Sequence, residues 1–462
     1  MTAEEAIRNT MTGAEAMVAL LAQHGVETIF GLCGDTSLPF YDALYKNARG
    51  MTHILTRDER HAAYMADGYA RVTGKPGVCE GPSGGGATYI LPGVVEANES
   101  SIPILAITTD VAVTSQGKFP LTELDQASLF RPLTKYNGLI DTAGRLPTMV
   151  RQAFRAMTTG TPGAAQLGFP FDVQKQEVDG GQVWAQSEFE HFPAWRQAPQ
   201  SGAIEAAAKA IVTARNPVVI CGGGPVIAGA EGELKRLAER LDLIVATTVS
   251  GQGSLGENHP NCLGVVGSNG GVLATRKVIE EADLVVFIGC RAGSVTTERW
   301  RLPVPGTPIV HIDSNPMAIS ASYETAYPVL GDAKLALAAL NEALDEEANL
   351  PEFGGAERVA RAREEKFEIF DRLAASNETP IKPERVVADL NAVLPEDAVV
   401  VCDPGTPCPY FSAYYRFNKP GRHFISNRAH GALGFSMAAA MGAQVGRPNA
   451  KVVSVMGDGS FA

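Results

Sequence analysis

The sequence predicts an α/β protein of three doubly wound parallel-sheet domains, the third incomplete. Three observations predict it. Short β-forming runs alternate with helical patterns along the chain, as in a parallel sheet covered by helices. The 462 residues include 48 glycines and 29 prolines, which suit many tight strand–helix turns. The composition, 45% hydrophobic and 19% charged, is ordinary for a globular chain of about three domains.

The first domain is expected over 1–178. Strands are read at 25–31, 53–56, 78–80, 104–108 and, last, 164–169. Helices follow the second from about Glu59 to Arg71, and the third from about Ala87. Residues 175–200 are polar, rich in Gln and Glu, and read as a linker. The second domain, 200–345, has strands at 217–221, 243–246, 284–288 and 308–312, and a terminal helix opening at 331–334. The charged stretch 345–377 is expected to be helical. It leads to a third domain over 379–462, with strands at 398–403 and 451–456.

A net charge of −12 argues against a nucleic-acid partner. The seven cysteines are scattered with no CxxC pair, as expected for reduced thiols in a cytoplasmic protein. Residues 1–10 are polar and do not read as a secretory segment. The longest uncharged stretch, 429–446, is long enough for a membrane span, but its Gly, Ala, Ser and Gln make it weakly apolar. A helix packed inside a protein is the better reading, so no membrane partner is expected. Asn98-Glu99-Ser100 fits a glycosylation sequon and is read as chance.

Four segments could carry chemistry. Glu59 stands where a strand end enters an Ala- and Gly-lined helix, and the helix dipole favours a carboxylate there. It is either a functional acid or an ordinary first-turn Glu. Gly81-Pro82-Ser83-Gly84-Gly85 fits the GxSxG nucleophile elbow of α/β-hydrolases. The wider glycine run to Gly86 equally suits close approach of a flat ligand. Cys221-Gly222-Gly223-Gly224-Pro225 follows a strand as a nucleotide-binding turn would, but Ile227 replaces the last Gly of GxGxxG. Gly457-Asp458-Gly459 puts a carboxylate between glycines at a strand end, which is either an acidic turn or a place to hold Mg²⁺ against a diphosphate.

Taken together these segments resemble the thiamine-diphosphate (ThDP) enzymes, most closely their acetolactate synthase branch. The resemblance covers essentially the whole chain. It rests on Phe30-Gly31-Leu32-Cys33-Gly34-Asp35, on Thr56 to Arg71, and on Ser83 to Tyr89. It continues in Leu121-Thr122-Glu123-Leu124-Asp125, Arg131-Pro132 and Lys135, and ends in Tyr414 to Phe417, Gly434-Phe435 and Gly457-Asp458-Gly459.

The resemblance implies a pyrimidine-binding domain, a central Rossmann-like domain and a diphosphate-binding domain. It implies decarboxylation of a 2-oxo acid and transfer of the fragment to a carbonyl acceptor, with a related lyase or decarboxylase on another 2-oxo acid or acyl-CoA as the runner-up. Glu59 takes the role of the catalytic Glu that hydrogen-bonds N1′ of the aminopyrimidine. Leu433 takes that of the apolar wedge that bends the cofactor, beside Gly431. Gly34, Ser83, Gly84, Gly86 and Thr122 would face the cofactor from the first domain. Gly405, Thr406, Gly457, Gly459 and Ser460 would face the diphosphate, with Asp458 on Mg²⁺. The resemblance allows FAD in the central domain, at Gly223, Gly224, Arg291 and Asp313, although the segments 267–271 and 291–294 differ from the usual flavin pattern. It also implies a homodimer or homotetramer, because Glu59 and Asp458 of one site come from different subunits.

Several residues depart from the family pattern. Thr122 stands for a usual Gln, Gly85 for a Pro, and Thr406-Pro407-Cys408 for a Gln-His-Gln loop, which puts the donor substrate in question. The family motif continues beyond Gly-Asp-Gly to a metal-binding Asn pair. The expectation is therefore of a fragment, or of an inactive scaffold, that holds Mg²⁺ and ThDP weakly.

Overall fold

The computed structural model describes residues 10–347 and 349–461. The reading of the first ten residues as a non-secretory start lies, for 1–9, outside the described residues. The described chain gathers into two compact units, one running to Trp195 and including Ala429–Pro448, the other holding Arg196–Arg428 and the residues after Pro448.

In the first unit, β1 (Thr10–Thr12) leads through α1 (Gly13–Gln23) to β2 (Thr28–Gly31) and α2 (Leu38–Lys46). Next come β3 (Thr52–Leu55), α3 (Glu59–Thr73), β4 (Gly77–Gly81), α4 (Gly85–Tyr89) and α5 (Leu91–Glu99). The unit continues through β5 (Ile104–Asp110), α6 (Gln126–Phe130), β6 (Tyr136–Leu139), α7 (Leu146–Thr158), β7 (Ala165–Pro170) and β8 (Glu177–Asp179). Six strands form one all-parallel sheet in the order β3-β2-β4-β5-β7-β6. The order reverses between β2 and β4, so their following loops flank a crevice at the carboxyl edge. The central strands β4, β5 and β7 are buried throughout, as strands covered on both faces must be.

The stretch read as a linker is built into this unit. β8 pairs antiparallel with β1, Val183 and Phe189 join the core, and the Arg151 guanidinium sits 3.8 Å from the Trp184 ring. Its apolar residues follow no period, so pattern reading missed them.

The second unit runs through α8 (Ser201–Thr213), β9 (Pro217–Cys221), α9 (Gly224–Ala228), α10 (Glu231–Leu241), β10 (Ile244–Thr247) and β11 (Cys262–Val265). It continues with α11 (Leu273–Glu280), β12 (Leu284–Ile288), β13 (Ile309–Asp313), β14 (Tyr327–Leu330) and α12 (Ala333–Asp345). The Asp332 side chain caps α12 by accepting from Lys334 and Leu335 N–H. The parallel sheet order is β11-β10-β9-β12-β13-β14, with its own reversal between β9 and β12. After α13 (Gly355–Ala374) and α14 (Pro383–Val393), β15 (Val399–Cys402) forms the middle of a three-stranded parallel sheet. Its neighbours are β16 (Phe424–Ser426), reached through α15 (Pro407–Tyr414), and β17 (Val452–Val455).

Between β16 and β17 the chain forms α16 (Phe435–Gly446), which belongs to the first unit. The uncharged stretch is thus a helix packed against protein, and no described helix is long and apolar enough to cross a membrane. α16 lies on α3 with the two backbones in contact. A Cβ on Gly442 would fall 1.9 Å from the Met65 carbonyl oxygen, and one on Gly68 2.1 Å from that of Ala439. Only glycine permits so close a crossing.

Candidate active site

Glu59 is the first residue of α3, and the Asp58 side chain caps the helix by accepting from Arg60 N–H. The chain leaves β3 at Leu55 and turns into the helix at once, so Glu59 stands at the carboxyl edge of the sheet. Its side chain is buried, at 7% exposure. Gly81 and Gly86 wall it: a Cβ on Gly86 would lie 3.1 Å from Glu59 Oε1, and one on Gly81 3.4 Å from Glu59 Cγ. This is a cradle that side chains would fill, and it leaves the carboxylate approachable by a flat polar ring.

The crevice between the loops after β2 and β4 is beside it. Gly34 packs on Pro82, where a Cβ would fall 2.5 Å from Pro82 Cβ. Thr36 Oγ1 donates to Ser83 Oγ at 3.2 Å, lies 2.9 Å from Thr109 Oγ1, and accepts from Ser83 N–H at 3.1 Å. Ser83 Oγ is 2.7 Å from Thr122 Oγ1. Thr122 and Gly84 both have positive φ, and the Gly84 backbone packs directly on Thr122. The structure therefore brings Gly34, Ser83, Gly84, Gly86 and Thr122 to the same edge as Glu59. Ser83 bonds to threonines, not to the histidine that a nucleophile elbow needs.

Gly431 and Leu433 lie in the turn before α16, in the same unit. Leu433 is 56% exposed, so it does not serve core packing. The turn is anchored from α5: Glu96 Oε2 accepts from Ala429 N–H at 3.2 Å and His430 N–H at 2.7 Å. Glu96 Oε1 accepts from Ser100 at 2.6 Å and from Arg71 at 3.4 Å, and Arg71 also donates to Asp67 at 2.8 Å. Sequence reading missed this buried triad, although three charges in Ala-rich helical runs were its signal.

It also missed a carboxylic acid on β4. Glu80 is fully buried and accepts from Tyr41 Oη at 2.7 Å, and Tyr41 Oη is 3.1 Å from His53 Nε2. Burial, and then the charge of Glu59, push Glu80 up to about 8 against the hydrogen bond from Tyr41 and the nearby Ser37 hydroxyl. The available signal was a lone charge ending an otherwise apolar central strand.

In the second unit, the segments after β15 and β17 share the carboxyl edge of the small sheet. Asp403 N–H bonds to the Val455 carbonyl at 3.1 Å, which ties the two strand ends together. Gly405 and Thr406 are exposed before α15, and Asp458 is exposed at the start of the short helix α17 (Asp458–Phe461), with Gly457, Gly459 and Ser460 around it. Ser460 and Phe461 N–H both bond to the Gly457 carbonyl, closing this turn. An exposed carboxylate among glycine backbone suits a hard cation and a phosphate. Among the described residues no cluster of three or more His, Cys, Asp or Glu forms a protein-only metal cage.

The central glycines pack on backbone. A Cβ on Gly222 would lie 2.0 Å from the Gly289 carbonyl oxygen, and one on Gly224 2.5 Å from Gly289 Cα. Gly223 is more open: a Cβ there would lie 3.6 Å from the Ser250 carbonyl oxygen. Asp313 ends β13, is pushed up to about 6 by burial, and accepts from Asn315 N–H at 2.8 Å. Gly223, Gly224 and Arg291 follow the strands that flank the sheet's reversal, while Asp313 is the last residue of the next strand.

Three family models match the chain: the N-terminal TPP binding domain of thiamine pyrophosphate enzymes over 11–129, their central domain over 204–340, and their C-terminal TPP binding domain over 403–462. A probable acetolactate synthase large subunit of Methanocaldococcus jannaschii is 36% identical, across 98% of this chain and 76% of the relative. The acetolactate synthase isozyme 3 large subunit of Escherichia coli K12 is 32% identical, across 98% and 78%. An acetolactate synthase of Mycobacterium avium is 31% identical, across 98% and 72%.

Proposed function

This chain belongs to the acetolactate synthase-like thiamine-diphosphate enzymes, and from that premise we propose that Glu59 is its catalytic acid in decarboxylating a 2-oxo acid and passing the fragment to a carbonyl acceptor. The observation that carries this reading is the Glu59 carboxyl, buried at a helix start and walled by Gly81 and Gly86. A carboxyl so placed can share a proton with a ring nitrogen and hold the ring in one orientation. ThDP, when bound, would supply the nucleophilic carbon for the 2-oxo acid once its proton is removed.

The chain's own residues do the rest. Gly34, Ser83, Gly84, Gly86 and Thr122 would hold the pyrimidine end, and Gly431 and Leu433 would press on the cofactor between its rings. Gly405, Thr406, Gly457, Gly459 and Ser460 offer backbone and hydroxyl donors to the diphosphate, and Asp458 binds its Mg²⁺. FAD is a separate proposal, placed at Gly223, Gly224, Arg291 and Asp313, and flavin absorbance of the purified protein tests it. The division into functional domains over 1–178, 200–345 and 379–462, assembly as a homodimer or homotetramer, and a cytoplasmic location belong to the same proposal.

The test is CO₂ release from a panel of 2-oxo acids with ThDP and Mg²⁺. Glu59→Gln abolishes cofactor-dependent release while leaving the fold intact. Release at the wild-type rate by that variant refutes the assignment.

A further inference from the structure

The proposed reaction makes no use of Glu80. Its side chain is completely buried, and its Oε1 has no hydrogen-bond partner among the described residues. Its Oε2 is joined through Tyr41 Oη, at 2.7 Å, to His53 Nε2, at a further 3.1 Å. His53 is half-buried on β3, the edge strand of the sheet. The chain of contacts therefore runs from a sealed carboxyl outward to an imidazole near solvent. It is tightly fitted: Gly31 stands opposite Glu80 in register, and a Cβ there would lie 2.8 Å from Tyr41 Oη and 3.0 Å from Glu80 Oε2.

Glu80 is also coupled to the site. Gly81, the next residue, walls Glu59, and the two carboxyls repel each other. The groups that face Glu80 are Tyr41 and Ser37, Cys33 after β2, Cys79 on its own strand, and Glu59 at the start of α3, with His53 reached through Tyr41. Glu59 is the only other carboxyl among them. An acid that ionises only with difficulty beside a second acid responds to whatever neutralises the second. Burial favours the neutral His53 imidazole, so a proton that reaches Nε2 is passed on rather than kept.

We propose that Glu80 is a positioning residue that holds a proton in the free protein and releases it, through Tyr41 and His53, when a ring that takes up the charge of Glu59 binds beside it. The proposal rests on the ThDP reading for the identity of that ring. The step balances. In the protonated form Glu80 Oε2–H donates to Tyr41 Oη, the reverse of the bond the carboxylate accepts; that O–H bond breaks and its proton passes to the Tyr41 oxygen. The Tyr41 proton passes to His53 Nε2, and His53 returns one proton to solvent. Glu80 becomes a carboxylate and Tyr41 is unchanged. By linkage, ionisation of Glu80 tightens cofactor binding by the factor with which the cofactor promotes that ionisation.

The test begins on the cofactor-free protein, by following the infrared carbonyl band of a protonated carboxylic acid against pH. In the wild type the band disappears as pH rises through about 8. Glu80→Gln lacks this component, and only the bands of Asp110 and Asp313, which titrate lower, remain. Glu59→Gln moves the Glu80 midpoint down, because a repelling charge is gone. Tyr41→Phe moves it up, because the carboxylate loses its donor. A wild type without the band at pH 7, or an unchanged midpoint in Glu59→Gln, overturns the proposal. Calorimetry with ThDP and Mg²⁺, in buffers of different ionisation enthalpy near pH 7, then counts protons. The wild type releases a fraction of a proton that Glu80→Gln does not, and equal counts overturn the proposal. Where ThDP binds too weakly for protons to be counted, the infrared titration alone decides the proposal, and a midpoint that Glu59→Gln leaves in place overturns it.

Discussion

Replacing Gly442 by Ala tests the contact between α3 and α16. The new Cβ would lie 1.9 Å from the Met65 carbonyl oxygen and 2.6 Å from its carbon. An ordinary carbon–oxygen contact is about 3.3 Å. One helix must therefore slide or lift by more than about 1 Å. The obstacle is backbone, so no side-chain rotation relieves it. Both faces are closely packed, with Ala62, Ala66, Ala439 and Ala443 fully buried and Tyr64 edge-on to Phe435 at 5.1 Å. Overpacking of a rigid contact costs about 3 kcal/mol. Alanine recovers about 1 kcal/mol of helix propensity. The expected net loss is about 2 kcal/mol, read as a lower urea midpoint for the transition that buries Tyr64. Gly202→Ala on α8 is the control, because a Cβ there meets nothing within 4 Å. It should gain up to about 1 kcal/mol. If Gly442→Ala matches or exceeds wild-type stability, the crossing is not glycine-limited and the reasoning fails.

His24 is held at about 4 by burial, with Nδ1 on the Leu20 carbonyl at 2.8 Å and its ring stacked on Phe154. A base with a depressed folded pKa contributes stability that is present above its unfolded value and lost as pH falls toward the folded one. Wild type should therefore lose about 3 kcal/mol relative to His24→Gln between pH 6.5 and 4, measured by urea unfolding at both ends. Glu96→Ala leaves the Arg71 guanidinium without one of its two carboxylates and two backbone N–H groups of the 429–430 turn without their acceptor. It should cost about 3–5 kcal/mol, read by denaturant unfolding. In Gly86→Ala the Cβ would meet Pro82 Cδ at 2.4 Å and crowd Glu59 Oε1. ThDP affinity by calorimetry should fall at least about tenfold, while far-UV circular dichroism stays unchanged.

The sequence disclosed the buried strands because their apolar runs are continuous and bounded by glycine. β4, β5, β9, β12 and β15 all fall where pattern reading put them. Six strands were missed: β6, β11, β14 and β16 are at the edges of the parallel sheets, and β1 and β8 pair only with each other. Tyr136-Asn137-Gly138-Leu139 and Tyr327-Pro328-Val329-Leu330 carry residues that strand propensity disfavours, and an edge position is where such residues are tolerated. The 175–200 segment hid for a different reason, since its anchors Val178, Val183 and Phe189 follow neither period. The place of Glu59 at a strand–helix junction was legible locally, while the role proposed for it came from the family resemblance. Glu80 was not legible, because its meaning depends on Tyr41 and His53, which only folding brings to it.

The interleaving of the two units has a consequence for synthesis and dissection. α3 emerges early, yet the helix that covers its glycine face is made only after the whole of the central sheet. Until then Ala62, Ala66 and Gly68 present a bare apolar groove, a long-range docking step that slows folding and invites chaperone engagement. No single proteolytic cut can free the first unit whole: clipping after Trp195 severs it from its own last helix.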